Sequence, residues 1–382
     1  MSGISELSAM KKHFETAVIG GGVVGAAIGY GLAKLGHRVA IFDGDDIALR
    51  ASRTNFGLVW VQGKGDGFLP YQHLTRRSSA LWPKFAAELQ ALTGIDLEYR
   101  RTGGLAFCLS GDELEEERAL GLRMAQQSSD YSFEICERSV LERMLPKVKL
   151  GSDVVGACFS ELDAHVNPLL LLRALLKGFV LSKGTLFTKQ PVDEIIPAGD
   201  GFRVISQGSE YSAQRVVIAA GIQTTSFKEK LDLPVNLRPQ RGQLLITERV
   251  EPVLPYAAIG IRQTASGSFQ LGGTYENVGE ITEVTSAAGQ TISQRAIKVM
   301  PALESLRVVR QWAGLRVLSP DGFPIYDRSR THPGIHVATC HSGVTLAAYH
   351  AGPFAQWLSL GVEDGRYAAF SGSRFTTEGA AA

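Results

Sequence analysis

The sequence lacks an excess of charge of either sign. Its 39 lysines and arginines face 38 aspartates and glutamates, for a formal net charge of +1. That balance excludes a broad electrostatic surface for nucleic acid or an anionic membrane. Cysteine is scarce. Cys108, Cys136, Cys158 and Cys340 are the four present, and none forms a C-x-x-C pair. A zinc ribbon or an iron–sulfur cluster built on paired cysteines in this chain is thereby excluded. Four scattered thiols read as a reduced, cytoplasmic protein rather than a disulfide scaffold. Long apolar runs are missing too. Ala17–Ala33 is uncharged, but its 17 residues include six glycines and no small-residue cleavage site ends it. It is short for a membrane span and unlike a signal peptide, so a strand, a turn and a helix are expected there, with no integral membrane segment. No solenoid repeat is present.

Glycine is what the chain has in surplus: 42 of 382 residues, about 11 % against about 7 % in ordinary usage. The surplus is not periodic, which excludes collagen. Its placement follows the elements. Ala17–Gly20 reads as a strand, Val23–Leu35 as a helix closed near Gly36, and Arg38–Phe42 as a second strand ending at Asp43. This is one β-α-β unit of a parallel doubly wound sheet. Helices are expected over 72–93 and 112–127. Another starts at Asn167-Pro168, with proline in the first turn, and runs to Leu181. Strands are expected at Leu58–Val61, Thr185–Phe187, Val192–Ile196, Phe202–Ser206 and Arg215–Ala220. Further strands are expected at Gly242–Thr247, Phe269–Gly272 and Trp312–Val317, with a helix from Thr291 to Met300 among them. Strand Ile335–Thr339, a glycine turn and a helix over Leu346–Trp357 close the pattern, and the last ten residues read as frayed.

The strongest motif is Gly20-Gly21-Gly22-Val23-Val24-Gly25, a G-x-G-x-x-G between strand and helix. Gly20 permits the tight turn, Gly22 lets backbone N–H groups approach a pyrophosphate, and Gly25 lets helix pack on strand. The helix N-terminus then faces the anion. Asp43 follows Gly20 by 23 residues, where an acid accepts hydrogen bonds from an adenosine ribose. The fingerprint alone fits FAD and NAD alike.

Ala51-Ser52-Arg53-Thr54-Asn55 follows the ribose acid directly. Here the sequence resembles the FAD-dependent glycine oxidase, D-amino-acid oxidase and sarcosine oxidase family, and the resemblance extends over nearly the whole chain. Pro191-Val192 matches the strand beside the adenine. Ala220-Gly221 ends the second dinucleotide strand. Pro239-Gln240-Arg241-Gly242-Gln243 is similar to the P-x-R-G-Q segment beside the flavin. Residues 269–276, with Gly272 and Gly273, match a strand on the substrate side. Residues 312–328 are close to G-L-R-P-x-T-P-D-G-x-P, and 340–347 to the G-H-x-x-G turn.

The resemblance implies an α/β fold, with a discontinuous Rossmann-like FAD domain (14–88, 152–226 and 316–372) and an inserted antiparallel-sheet substrate domain (89–151 and 227–315). It implies FAD contacts at Gly20, Gly22, Val23, Val24, Gly25, Asp43, Ser52, Asn55, Val192, Ala220, Gly221, Gly242, Gly314, Ser342, Gly343, Val344 and Thr345. Gly314 stands where sarcosine oxidases carry the cysteine that bonds the flavin, so the FAD is expected to be non-covalent. Ser52 equally suits a helix cap or turn. Arg316 is expected to bind the substrate carboxylate, since a planar guanidinium suits bidentate contact; the structural alternative is an ion pair with Asp321 or Asp327. His341 either lines the active site or caps its turn. His332 and His336 are separated by Pro333-Gly334, so no metal site is expected. Trp60 and Tyr71–Leu74 read as core or as cavity wall.

Residues 56–65 (FGLVWVQGKG) are most similar to the B subunits of opine oxidases, in the group that includes hydrogen cyanide synthase and hetero-oligomeric proline or hydroxyproline dehydrogenases. That resemblance implies oxidation of a C–N bond by hydride transfer to flavin N5, giving an imine that hydrolyses to a 2-oxo acid and an amine. No protein acid or base is required for the hydride step. It also implies a larger A subunit that carries further redox cofactors and takes the electrons. Free-standing oxidation of glycine, sarcosine or a D-amino acid by oxygen is the alternative. An NAD-dependent dehydrogenase and a non-catalytic scaffold subunit complete the competing readings.

Overall fold

In the computed structural model, residues 13–44, 51–362 and 365–375 are described. The described residues open with β1 (His13–Ile19), α1 (Val23–Lys34) and β2 (Val39–Asp43). β1 pairs in parallel with β2 (Ile19 opposite Phe42) and, on its other side, with strand Ser209–Ile218 (Ile19 opposite Ile218). Strand Ile335–Thr339 lies beyond Ser209–Ile218, and Thr185–Thr188 beyond β2, both again parallel. Five parallel strands therefore end on one edge of the sheet, which is where doubly wound folds place ligands. One face of this sheet is covered by α1 and helices Leu69–Thr93, Pro168–Leu181 and Gly343–Tyr349, around Ile28, Tyr30, Trp82 and Phe179. The other face buries Phe42, Tyr211 and Phe227.

A second sheet of eight strands runs from Val308–Leu318 through Arg238–Arg249 and Ser268–Gly272 to Gly104–Cys108, Gly156–Ser160 and Glu134–Glu137. It is antiparallel except where Ala257–Ala258 joins Gly104–Cys108. Helix Ser286–Val299 closes its core with Ile292, Ala296 and Val299. The α/β class and the two-part architecture agree with expectation.

Several boundaries are corrected. Gly156–Ser160 and the whole of Val308–Leu318 belong to the second sheet, so the expected breaks at 152 and 316 fall inside it. The helix expected from Thr291 starts at Ser286, because Thr285 caps it by accepting from Ala288 N–H. Val192 precedes its strand, which is Glu194–Ala198. The last helix begins at Gly343, and its middle widens to a π turn at His350–Phe354; Pro353 supplies no N–H there. Of the expected frayed end, 376–382 lie outside the described residues, while Gly372–Phe375 form a 3-10 turn. All four cysteines are free thiols. Among the described residues no helix is long and apolar enough to cross a membrane, and no group of His, Cys, Asp or Glu is placed to hold a metal ion.

Candidate active site

The dinucleotide turn is built by close approach. Gly20 has φ +108°, and a β-carbon there would lie 2.5 Å from the Ala219 carbonyl oxygen. At Gly25 a β-carbon would run into the Gly20 carbonyl. Only glycine satisfies both constraints. Gly22 caps α1 in an extended conformation and has no side chain to fold back. Asp43 accepts from Gly21 N–H (3.2 Å), and Ser52 Oγ accepts from Val23 N–H (2.9 Å). Ser52 therefore sits at the helix start, where a pyrophosphate would lie, and also does the work of a cap. Gly343 faces Val24, and Gly221 faces Val317. These contacts tie the βα turn, the ends of the parallel strands and the last helix to one edge. Val192 lies apart, beside Asp193 and Ile195 on a different surface, next to the segment where Pro191 meets Gly44.

From this edge a cavity of about 280 Å³ opens against the second sheet. Asn55, Gly242, Gly314, Arg316, His341, Ser342, Val344 and Thr345 line it, all of them expected site residues. Gly272 and Gly273 are also on its wall, as expected for the substrate side. Sequence reasoning missed Lys64 and Cys340 and undervalued Trp60, all of which line the same space. Lys64 had a signal: it is the one charge in a ten-residue run of otherwise apolar, glycine and amide residues, set between Gly63 and Gly65. Trp60 is a cavity wall rather than only core. Its indole N–H is buried without an acceptor, which a polar ring edge in the cavity would satisfy. Tyr71 is core, donating to Ser342 Oγ at 2.8 Å.

Arg316 is held by carbonyls, not by an acid. Nη1 donates to Thr274 O (2.8 Å) and Arg241 O (3.3 Å), and the guanidinium lies 4.4 Å from the Tyr275 ring centre. The alternative ion pairs are not made. Asp321 pairs with Arg374 at 2.8 Å, and Asp327 accepts from Ser371 Oγ and Gly372 N–H. Among the described residues Arg316 has no carboxylate partner within ion-pair distance. Burial lowers its affinity for the proton somewhat, yet guanidinium stays charged at any working pH. Arg241, by contrast, is paired with Glu276 at 2.6 Å and also donates from Nη1 to Glu283 O at 2.8 Å.

His341 faces the cavity. Burial first, then the charges of Lys64 and Arg316, pull it down to about 3, so the ring is neutral near pH 7. Cys340 is pushed up to about 12 by burial and stays a thiol. His332 and His336 are not a pair: His336 packs edge-on against Trp357.

Comparison with known proteins decides the family. The sequence profile of the DAO family, FAD dependent oxidoreductase, matches residues 15–357. The chain belongs to this family. It is therefore an FAD-dependent oxidoreductase, and FAD is its family cofactor. It is 36 % identical to the opine oxidase B subunit of Rhizobium meliloti over 366 residues, 95 % of this chain and 98 % of that protein. It is 27 % identical to glycine oxidase of Bacillus subtilis over 345 residues, 88 % of this chain and 91 % of that one. The crystal structure of glycine oxidase from Bacillus cereus superposes with a TM-score of 0.84 at 25 % identity, covering 93 % of this chain and 98 % of that one.

The residues fit the cofactor. The glycines of the turn put no β-carbon between the start of α1 and an approaching phosphate, the polar Ser52 Oγ is the side chain found there, and the indole N–H of Trp60 is buried without an acceptor in the cavity.

Proposed function

We propose that this protein oxidises the C–N bond of an amino acid or an N-substituted amino acid, held by its carboxylate on Arg316. The observation that carries the reading is Arg316 itself: a permanent cation on a cavity wall, fixed by two carbonyls and an aromatic face, with no carboxylate at ion-pair distance among the described residues. Such a group is prepared for an anionic ligand. FAD, when bound, supplies the two-electron acceptor for the hydride that leaves Cα.

In this reading Gly20, Gly22, Val23, Val24 and Gly25 hold the pyrophosphate, Asp43 the ribose, and Ala220, Gly221, Ser52, Asn55, Gly242, Gly314 and Ser342–Thr345 the rest of the cofactor. Attachment is non-covalent, because Gly314 brings no thiol. Val192, outside the strand and away from the cavity, is the weakest member of the set.

The chain's own part in the chemistry is positioning and electrostatics. Arg316 fixes the carboxylate, and with it the direction of the Cα–H bond. Trp60, Leu244 and Ile259 wall the cavity against water. Arg316 and Lys64 disfavour a third positive charge, so the substrate amine sheds its proton to solvent and presents its lone pair. The lone pair forms the C=N bond as hydride departs. Water then adds to the imine and releases a 2-oxo acid and an amine. His341 is a neutral wall residue, not a general base.

Passage of electrons to a larger partner is also part of the proposal, supported by the 36 % identity to the B subunit of an opine oxidase. A cytoplasmic location fits four free thiols. The test is an anaerobic screen of the FAD-loaded protein with opines, proline, hydroxyproline, glycine and sarcosine, following flavin absorbance. Bleaching by one of them supports the reading, and a flavin that stays oxidised with all of them overturns it. Peroxide formation by the isolated chain at the rate of native turnover would instead make oxygen the acceptor.

A further inference from the structure

Arg316 shares its cavity with one lysine. Lys64 lines the same 280 Å³ space, and it stands on a fixed turn. Lys64 N–H donates to Val61 O at 3.0 Å. Gly63 and Gly65 on either side have φ +67° and +87°, and Gly65 meets the Gln72 backbone near the start of helix Leu69–Thr93. Asp163 ties the turn down from behind. It is completely buried and accepts from Val61 N–H (2.5 Å) and from Gln62 Nε2 (2.6 Å). Asp163 and Cys340 also act on Lys64 through space and favour its charged form, while burial and Arg316 oppose that form. Burial dominates and draws Lys64 down to about 8.

A bound amino acid brings a further nitrogen. Its amine is largely protonated in neutral water, and an ammonium has no lone pair with which to expel hydride. Arg316 keeps its charge, so a protonated Lys64 and a protonated substrate amine would make three cations in one space. Among the described residues, the titratable side chains on the wall are Lys64, Arg316, Tyr275, Cys340 and His341. Arg316 has no acceptor to offer. Cys340, pushed up to about 12, already holds its proton, and His341, down at about 3, is too weak a base. Tyr275 lies at the exposed rim with its ring on Arg316. Beyond the wall, helix Gly111–Gln127 packs Leu120 on Gly63. That helix carries Glu117 and also Arg123, which pairs with Asp66 of the turn at 2.9 Å. Tyr131 approaches the Gly63 backbone from the same side. None of these four lines the cavity.

We propose that Lys64 is the proton acceptor for the substrate amine, taking its proton before hydride leaves Cα. This deepens the proposed function and rests on it. One N–H bond of the substrate ammonium breaks, and its electron pair stays on the substrate nitrogen. One N–H bond forms at Lys64 Nζ, which becomes an ammonium with Asp163 behind it. The lone pair set free is the one that forms the C=N bond. Lys64 is partly accessible and passes the proton on to water, so solvent is its final destination. Lys64 thus acts on the amine proton and takes no part in breaking the Cα–H bond.

The test uses FAD-loaded full-length protein and the amine that reduces its flavin, and follows the second-order rate of anaerobic reduction against pH. In wild type the rate is expected to level off above about pH 8. Lys64→Met and Lys64→Arg are both expected to lose about 10²-fold at neutral pH, the scale of one general base. Both should then climb by about tenfold per pH unit toward the pKa of the substrate amine, since only amine already neutral in water reacts. Lys64→Arg keeps the positive charge but cannot accept a proton, so it separates proton transfer from attraction of an anion. Added ethylamine should restore part of the rate in Lys64→Met. A second readout needs no turnover: the Lys64 side-chain NMR signal in 13C-lysine protein, assigned by whichever variant folds, should titrate near 8. A loss equal at every pH, a wild-type profile in Lys64→Arg, or a midpoint at the ordinary lysine value of about 10.4 would overturn the proposal. If no amine reduces the flavin, the proposed function fails and the acceptor role with it. If an amine does but the variants keep the wild-type profile, this inference alone fails.

Discussion

The guanidinium of Arg316 lies directly over Gly242. A β-carbon at Gly242 would come within 2.6 Å of both Nη1 and Nη2, and one at Gly273 within 3.3 Å of Nη2. Gly242 and Arg316 are on adjacent antiparallel strands, with Gly242 opposite Gly314 and Gln240 opposite Arg316. The arginine is bedded on glycine backbone from below and faced by Tyr275.

The first prediction follows from that bed. Gly242→Ala leaves a foldable strand, since the obstructed atoms are the far end of a side chain, but it displaces the guanidinium. The expected result is a rise of about tenfold or more in substrate KM, measured on FAD-saturated protein, with a melting temperature near wild type. Steady-state kinetics beside the flavin-to-protein absorbance ratio checks this. A variant with unchanged KM would show that the bare backbone serves the cofactor alone.

Removing the cation itself is the stronger perturbation. Arg316→Ala is expected to weaken substrate binding about 10²-fold or more, the scale for truncating one partner of a buried charged pair, about 2–5 kcal/mol. Arg316→Lys is expected to recover little, because it loses the fork and both carbonyl anchors. Anaerobic flavin reduction at varied substrate concentration measures both. Normal affinity in the alanine variant would remove Arg316 from substrate binding.

For the cofactor, Asp43 is the position to probe. Its carboxylate orders the glycine turn through Gly21 N–H and, in the proposal, receives the ribose. Asp43→Ala is expected to weaken FAD binding about tenfold to a hundredfold, from about 1.5–3 kcal/mol for hydrogen bonds to a charged group. Fluorescence of released FAD on dilution reports it. Gly314→Ala should fail differently. Its β-carbon would collide with Thr54, so a loss of about 1–3 kcal/mol of stability is expected, as for other overpacked sites.

Acid should destabilise the fold. Burial holds His165 and His336 down at about 4 and His341 and His350 down at about 3. Between those values and 6.5 the unfolded chain binds protons that the folded chain does not, so stability falls as pH drops below about 6.5. Asp163 works in the other direction. Burial raises it to about 7, so the folded state keeps a proton that the unfolded state loses, which favours the fold as pH falls toward the ordinary carboxylate value. Four histidines outweigh one carboxyl, and a net uptake of protons on unfolding near pH 5 is expected. Melting temperatures at pH 5 and pH 7 test the sign, and His350→Phe should flatten the difference.

Much of this was legible because local sequence and tertiary demand coincide. The glycine turn, Asp43 and Asn167-Pro168 each state a backbone requirement in the residue itself; Asn167 does cap its helix, accepting from Leu169 and Leu170 N–H. The second sheet was less legible at one end. Gly104–Cys108, Glu134–Glu137 and Gly156–Ser160 are short strands whose partners are distant in the chain, so no local alternation marks them. Lys64 was passed over because charge on a glycine-rich turn ordinarily means solvent, and only folding brings that turn against Arg316. The carbonyl bed of Arg316 carries no side-chain signature at all.

The central claim is that an amine bound through Arg316 reduces FAD on this chain. Anaerobic titration of the FAD-loaded protein with an N-substituted amino acid measures it directly. Loss of the oxidised-flavin band, with one 2-oxo acid formed per flavin and a saturation constant that rises in Arg316→Ala, is the result the account predicts. A flavin that remains fully oxidised, or one that bleaches identically in wild type and Arg316→Ala, would contradict it.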